Sequence, residues 1–119
     1  MDQEFKSLFW TLSEKPYEAH WFNTIPSEDV LNGVPSDCSD RIWVLADWCE
    51  TNNISYELVW SLITTPHISL HVAIMIEGYI YDPIFKAYEM PYADYKRVIG
   101  VSIYLKTGGW IRRFITWES

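Results

Sequence analysis

The residue spacing of this chain changes once, and that change decides the class of fold. Cys38, Ile42, Leu45 and Cys49 fall at i, i+4, i+7 and i+11, one face of an α-helix. From residue 56 onward the pattern is that of strands. Residues 56–63 are rich in β-formers, 71–77 make a second run, and 79–81 begin a third, with Gly78 at the turn between the last two. A helix followed by a block of strands predicts an α+β domain, with an antiparallel sheet packed on the helix that carries Cys38.

The boundaries of these elements are written in the sequence. Ser36 or Asp37 is a good N-cap, and the acids Asp37 and Asp40 suit the positive end of a helix dipole. Asn52-Asn53 supply a stop that tolerates left-handed geometry. Upstream, Phe5, Leu8, Phe9 and Leu12 at helical spacing predict a short helix over 2–13, interrupted at Lys15-Pro16. Residues 16–36 hold three of the six prolines and Asn32-Gly33, so they read as loop, with one helical turn from Ser27 to Leu31 capped by Ser27. Downstream, Thr64-Thr65-Pro66 breaks the first strand and Pro83 ends the third. Residues 88–95 read as an aromatic, irregular stretch. Two more strands, 98–106 and 110–117, are expected around a hairpin turn at Thr107-Gly108-Gly109.

Composition narrows the class further. The 119 residues fit a single domain spanning 1–119, and 49% apolar with 21% charged residues predicts a globular chain. A formal net charge of −7 excludes nucleic acid as the expected partner, because no cationic surplus exists to displace phosphate counterions. It equally disfavours an anionic membrane surface. The run Val72-Ala73-Ile74-Met75-Ile76 is far short of the ~20 apolar residues that cross a bilayer. The first residues lack the basic and apolar regions of a signal peptide, so a cytoplasmic location is the expectation. On one helix, Cys38 and Cys49 lie ~16 Å apart along the axis and cannot form a disulfide.

Three positions together suggest chemistry. Cys38 opens a helix, where the dipole favours a thiolate. His71 opens a strand and can take a thiol proton, then return it to a leaving group. Asp82 ends the next strand and can hold an imidazole in one tautomer. Pairing around a Glu77-Gly78 turn sets residue 71 opposite about 84, so Asp82 becomes a diagonal neighbour of His71. Asp37 and Asp40 flank Cys38 and oppose a thiolate, an opposition that water screens if the carboxylates point outward. Other readings stand beside this one. Cys38 can be a small buried apolar residue, as Cys49 is expected to be. His67 is a second possible base. Asp82 before Pro83 can be a plain turn former. His67, His71 and Cys38 could bind zinc, but no Cys-x-x-Cys pair is present, so no metal and no cofactor are expected. The Arg112-Arg113 pair is expected to be solvated.

The stretch Ser36-Asp37-Cys38-Ser39-Asp40-Arg41 resembles the small-x-Cys-x-Asp opening of transglutaminase-like cysteine hydrolases, on the larger papain-like fold. The stretch His71-Val72-Ala73-Ile74-Met75-Ile76-Glu77-Gly78-Tyr79-Ile80-Tyr81-Asp82-Pro83 is similar to their His-strand, turn, aromatic, Asp-Pro segment. Two positions depart from the family pattern: Ser36 replaces the usual Gly, and Ile42 stands where a small residue is common. The resemblance covers residues 35–84 and implies a papain-like (transglutaminase-like) core. It implies Cys38 as nucleophile, His71 as base and acid, and Asp82 as the residue that orients His71. The implied activity is a cysteine hydrolase or acyltransferase acting on an amide, isopeptide or ester bond of a protein or peptide, through an acyl-enzyme. The Cys38 N–H would supply part of an oxyanion hole, with His20, Trp21 and Asn23 as candidates for the rest. The rival expectation is a catalytically inactive domain of the same fold, an inhibitor or adaptor that binds a basic protein partner.

Overall fold

The computed structural model describes residues 2–16, 26–63, 69–99 and 103–109. Four helices and five strands follow one another in these residues: α1 (Gln3–Ser13), α2 (Ser27–Leu31), α3 (Cys38–Thr51), β1 (Glu57–Ile63), β2 (Ser69–Ile76), β3 (Tyr79–Asp82), β4 (Ala87–Pro91), α4 (Tyr92–Ile99) and β5 (Ile103–Gly108). The strands form one sheet in the order β4-β3-β2-β1-β5, with every neighbouring pair antiparallel. The chain is thus an α+β fold in which N-terminal helices cover an antiparallel sheet and α3 packs on β2.

The ends of α3 are both chemically specified. Asp37 caps the start: its side chain accepts the Asp40 N–H at 3.1 Å, and the Asp40 carboxylate accepts the Asp37 N–H at 3.1 Å. This reciprocal capping box satisfies two donors that a helix start would otherwise leave orphaned. At the other end Asn53 turns left-handed, with φ 56°. The Ile54 N–H then reaches the Cys49 carbonyl at 2.8 Å, and the Asn53 N–H reaches that of Glu50 at 3.3 Å. That pair of bonds is a Schellman closure.

The two faces of the sheet carry separate apolar clusters. Leu58, Val72, Ile74, Ile76 and Tyr81 join Phe5, Phe9, Ile42, Leu45 and Cys49 beneath α1 and α3. Val59, Ala73, Met75, Ile80 and Ala87 join Tyr95 of α4 on the other face. Strand alternation explains the division, because Leu58 pairs with Ile74 on one face and Val59 with Ala73 on the other. Aromatic edges fasten α1: Phe5 meets Tyr81 at 5.0 Å and Phe9 meets Tyr88 at 5.1 Å between ring centroids. β2 and β3 form a two-residue hairpin with Ile76 opposite Tyr79. Its central residues, Glu77 (φ 52°) and Gly78 (φ 84°), both take positive φ, as a type I′ turn requires.

Several expectations need correction. Residues 88–95 are regular: they contain most of β4 and the first half of α4. Pro91 closes the strand, and Asp94 in the first turn with Lys96 and Arg97 in the last complements the helix dipole. The strand expected over 98–106 accordingly starts at Ile103, since α4 runs to Ile99. Thr107 and Gly108 do not turn the chain; they pair with Leu58 and Glu57 inside β5. Ser27 does not cap α2. Pro26 takes the cap position, and the Ser27 hydroxyl donates to Asp47 Oδ2 at 2.6 Å instead. The strand expected over 110–117, with Arg112-Arg113, lies outside the described residues. No helix among the described residues is long and apolar enough to cross a membrane.

Candidate active site

His71 is the third residue of β2 and Asp82 the last of β3. The hairpin register brings them together. Ile74 pairs with Tyr81, and continuing that ladder sets Asp82 across from Ala73, so His71 lies two residues further on the same face. The contact is close: His71 Nε2 donates to Asp82 Oδ2 at 2.6 Å. Asp82 is 0% exposed and His71 5%, so the bond is shielded from water.

The two oxygens of Asp82 have different duties. Oδ1 accepts the backbone N–H of Ile84 at 3.0 Å and that of Phe85 at 3.4 Å, the geometry of an Asx-type turn. Oδ2 accepts His71 and also the hydroxyl of Tyr95, again at 2.6 Å. Asp82 thus shapes the turn after β3 with one oxygen and hydrogen-bonds the His71 ring with the other. The Phe85 ring meets the imidazole edge-on, with 5.0 Å between centroids.

Cys38 is the first residue of α3 and is partly exposed; Cys49 is buried on the same helix, and both are free thiols. The two environments differ. Burial, and then the Glu50 charge, push the Cys49 thiol up to about 12, which fits a core residue. Cys38 instead acts on His71. Burial lowers the affinity of that ring for a proton. Hydrogen bonding to Asp82 and to Cys38, and the charges of both, act the other way and raise the pKa from 6.5 to about 10. The imidazole is thus where the first residue of α3 meets the β3 carboxylate and, through it, α4.

Around Cys38 the acids do not point to water. Asp37 and Asp40 are buried, and their carboxylates are turned into the capping box; Asp37 Oδ1 also accepts the Ser39 hydroxyl at 2.8 Å. Hydrogen-bond donors, rather than solvent screening, offset their charge beside the thiol. The capping box uses the N–H groups of Asp37 and Asp40 and does not use that of Cys38.

Three features escape a reading of the sequence alone. Tyr95 reaches Asp82 from a helix that its aromatic surroundings disguise. Ser61 pairs with His71 across β1 and β2, and its buried hydroxyl has no hydrogen-bond partner among the described residues. Arg41, one turn after Cys38, is buried, and its guanidinium donates to the carbonyls of Leu12, Lys15, Pro16 and Ser36 at 2.8–3.3 Å. An arginine in the first turn of a helix with acidic neighbours reads as a surface residue, and only the fold reveals its carbonyl partners. His20, Trp21, Asn23 and His67 lie outside the described residues. Among the described residues, no group of three or more His, Cys, Asp or Glu is arranged to hold a metal ion. Comparisons with protein-family models, with curated proteins and with solved structures find no match to this chain.

Proposed function

We propose that this protein is a small cysteine hydrolase or acyltransferase of the transglutaminase-like, papain-like type. Its substrate class would be an amide, isopeptide or ester bond of a protein or peptide. The observation that carries the reading is the 2.6 Å bond between His71 and Asp82 on paired strands, with Cys38 at the start of α3 acting on the same ring. Cys38 attacks the carbonyl carbon and forms the thioester. His71 takes the thiol proton and delivers it to the leaving amine or alcohol. Asp82 holds the ring with Nε2 donating, which keeps Nδ1 toward the thiol. The Cys38 N–H, unused by the capping box, contributes to the oxyanion site. Water or an amine then attacks the thioester, and that choice separates hydrolysis from transfer.

A second reading, a catalytically inactive binding domain, draws on the net charge of −7, which suits a basic protein partner. One experiment separates the two. Iodoacetamide labelling resolved by peptide mass spectrometry is expected to modify Cys38 much faster than Cys49, and His71→Ala is expected to slow Cys38. Equal, sluggish labelling of both thiols, unaffected by the mutation, would remove the catalytic reading.

A further inference from the structure

We propose that Tyr95 is a positioning residue for the site: its hydroxyl shares one carboxylate oxygen with His71 and thereby sets how strongly Asp82 holds the imidazole. The proposal rests on the cysteine-hydrolase reading for its functional meaning, but its physical content does not depend on that reading.

The geometry is specific. Tyr95 is fully buried on α4, and its hydroxyl lies 2.6 Å from Asp82 Oδ2, the same distance as His71 Nε2 from that atom. Oδ1 is occupied by the backbone donors of Ile84 and Phe85, so the carboxylate cannot rotate without losing its turn. Two donors therefore compete for one oxygen in a water-poor site. The phenolic O–H drains negative charge from Oδ2 and weakens the pull on His71. It also fixes Oδ2 in place, so that the ring keeps Nε2 toward β3 and Nδ1 toward α3. The titratable groups among the described residues that act on the ring from neighbouring elements are Cys38 from α3, Asp82 from β3 and, through Asp82, Tyr95 from α4.

This matters for a Cys–His site because the imidazolium must surrender its proton to the leaving group. A carboxylate that holds the ring without competition makes it too weak an acid for that step. Tyr95 moderates the bond, an effect distinct from the place of its ring in the apolar cluster that includes Val59, Ala73 and Met75.

The test is a titration of the imidazole by NMR, with the His71 resonance assigned by its loss in His71→Gln. In Tyr95→Phe the ring still fills its place but the competing donor is gone. The His71 midpoint is expected to rise by about one unit, a tenfold change in proton affinity. A midpoint that stays put or falls overturns the proposal. Should Tyr95→Phe fail to fold, fluorotyrosine incorporated at position 95 makes the phenol a stronger donor. The midpoint must then move down, and an unchanged midpoint is again fatal. Repeating the titration in Cys38→Ala keeps the two ideas apart. A catalytic reading that fails shows as an inert Cys38 thiol, whereas failure here shows as a His71 midpoint indifferent to position 95.

Discussion

A histidine buried against a carboxylate couples folding to pH. The folded pKa of His71, about 10, lies above its ordinary value of 6.5, so the imidazolium is stabilised more in the folded chain than in the unfolded one. That stability is fully present below pH 6.5 and drains away as the pH rises toward 10. Cys49 adds a loss of the same sign, but only above 9.0, where the unfolded thiol ionises while the folded one, pushed up to about 12, does not. Between 6.5 and 9.0 the decline is carried by His71. Urea unfolding across that window is expected to show stability falling by up to about 1.4 kcal/mol per pH unit, and His71→Gln to flatten the curve. A wild-type curve that is flat there would show that Asp82 and Cys38 do not hold the ring protonated. Asp82 itself shows how one side chain serves fold and site together. Its Oδ1 shapes the turn after β3 while its Oδ2 faces His71 and Tyr95, so substitution at Asp82 disturbs both at once.

The elements divide according to how local their causes are. α3 was legible because a capping box and a two-asparagine stop are contained within the helix and the residues next to it. The proximity of His71 and Asp82 was legible because hairpin register is arithmetic once the turn at Glu77-Gly78 is placed. β4 and α4 were not, because Tyr88, Tyr92 and Tyr95 carry the propensity of strands while Pro91 marks the start of a helix. The charge pattern of Asp94, Lys96 and Arg97 held the contrary signal. The sequence gives Tyr95 no legible role for the same reason, since that role needs the helix to exist. The Ser27 cap was displaced by a side chain twenty positions away, Asp47, which no local rule could supply. One element carries a local conflict that can be relieved. Glu77 occupies a left-handed position that disfavours side chains other than asparagine, aspartate or glycine. Glu77→Asn is expected to raise stability by about 1 kcal/mol, read as an increase in thermal midpoint, with the His71 titration unchanged.

For the molecule as a whole, one buried guanidinium ties several parts of the helical layer together. Arg41 binds the end of α1 and the residues before α3, so the placement of Cys38 depends on the carbonyls of Leu12, Lys15, Pro16 and Ser36. Arg41→Met takes the guanidinium from these carbonyls, of which those of Leu12 and Pro16 keep the backbone N–H groups of Lys15 and Ser36, and is expected to cost about 3 kcal/mol in urea unfolding. Arg41→Lys should recover little of it, because an ammonium lacks the planar fork. A loss below about 1 kcal/mol would mean that the carbonyls find other donors. The path of the chain through the sheet also sets an order of events during folding. β2 and β3 are joined by two residues, whereas β5 must cross to the far side of the sheet and pair Gly108 with Glu57. Closing a short loop is faster than closing a long one. The imidazole and its carboxylate therefore meet early, while the β1 edge waits for β5. A nascent chain caught in that interval already holds its charged pair, but it offers β1 as an open template to any passing strand, which makes the interval before β5 docks the chain's hour of greatest exposure to aggregation.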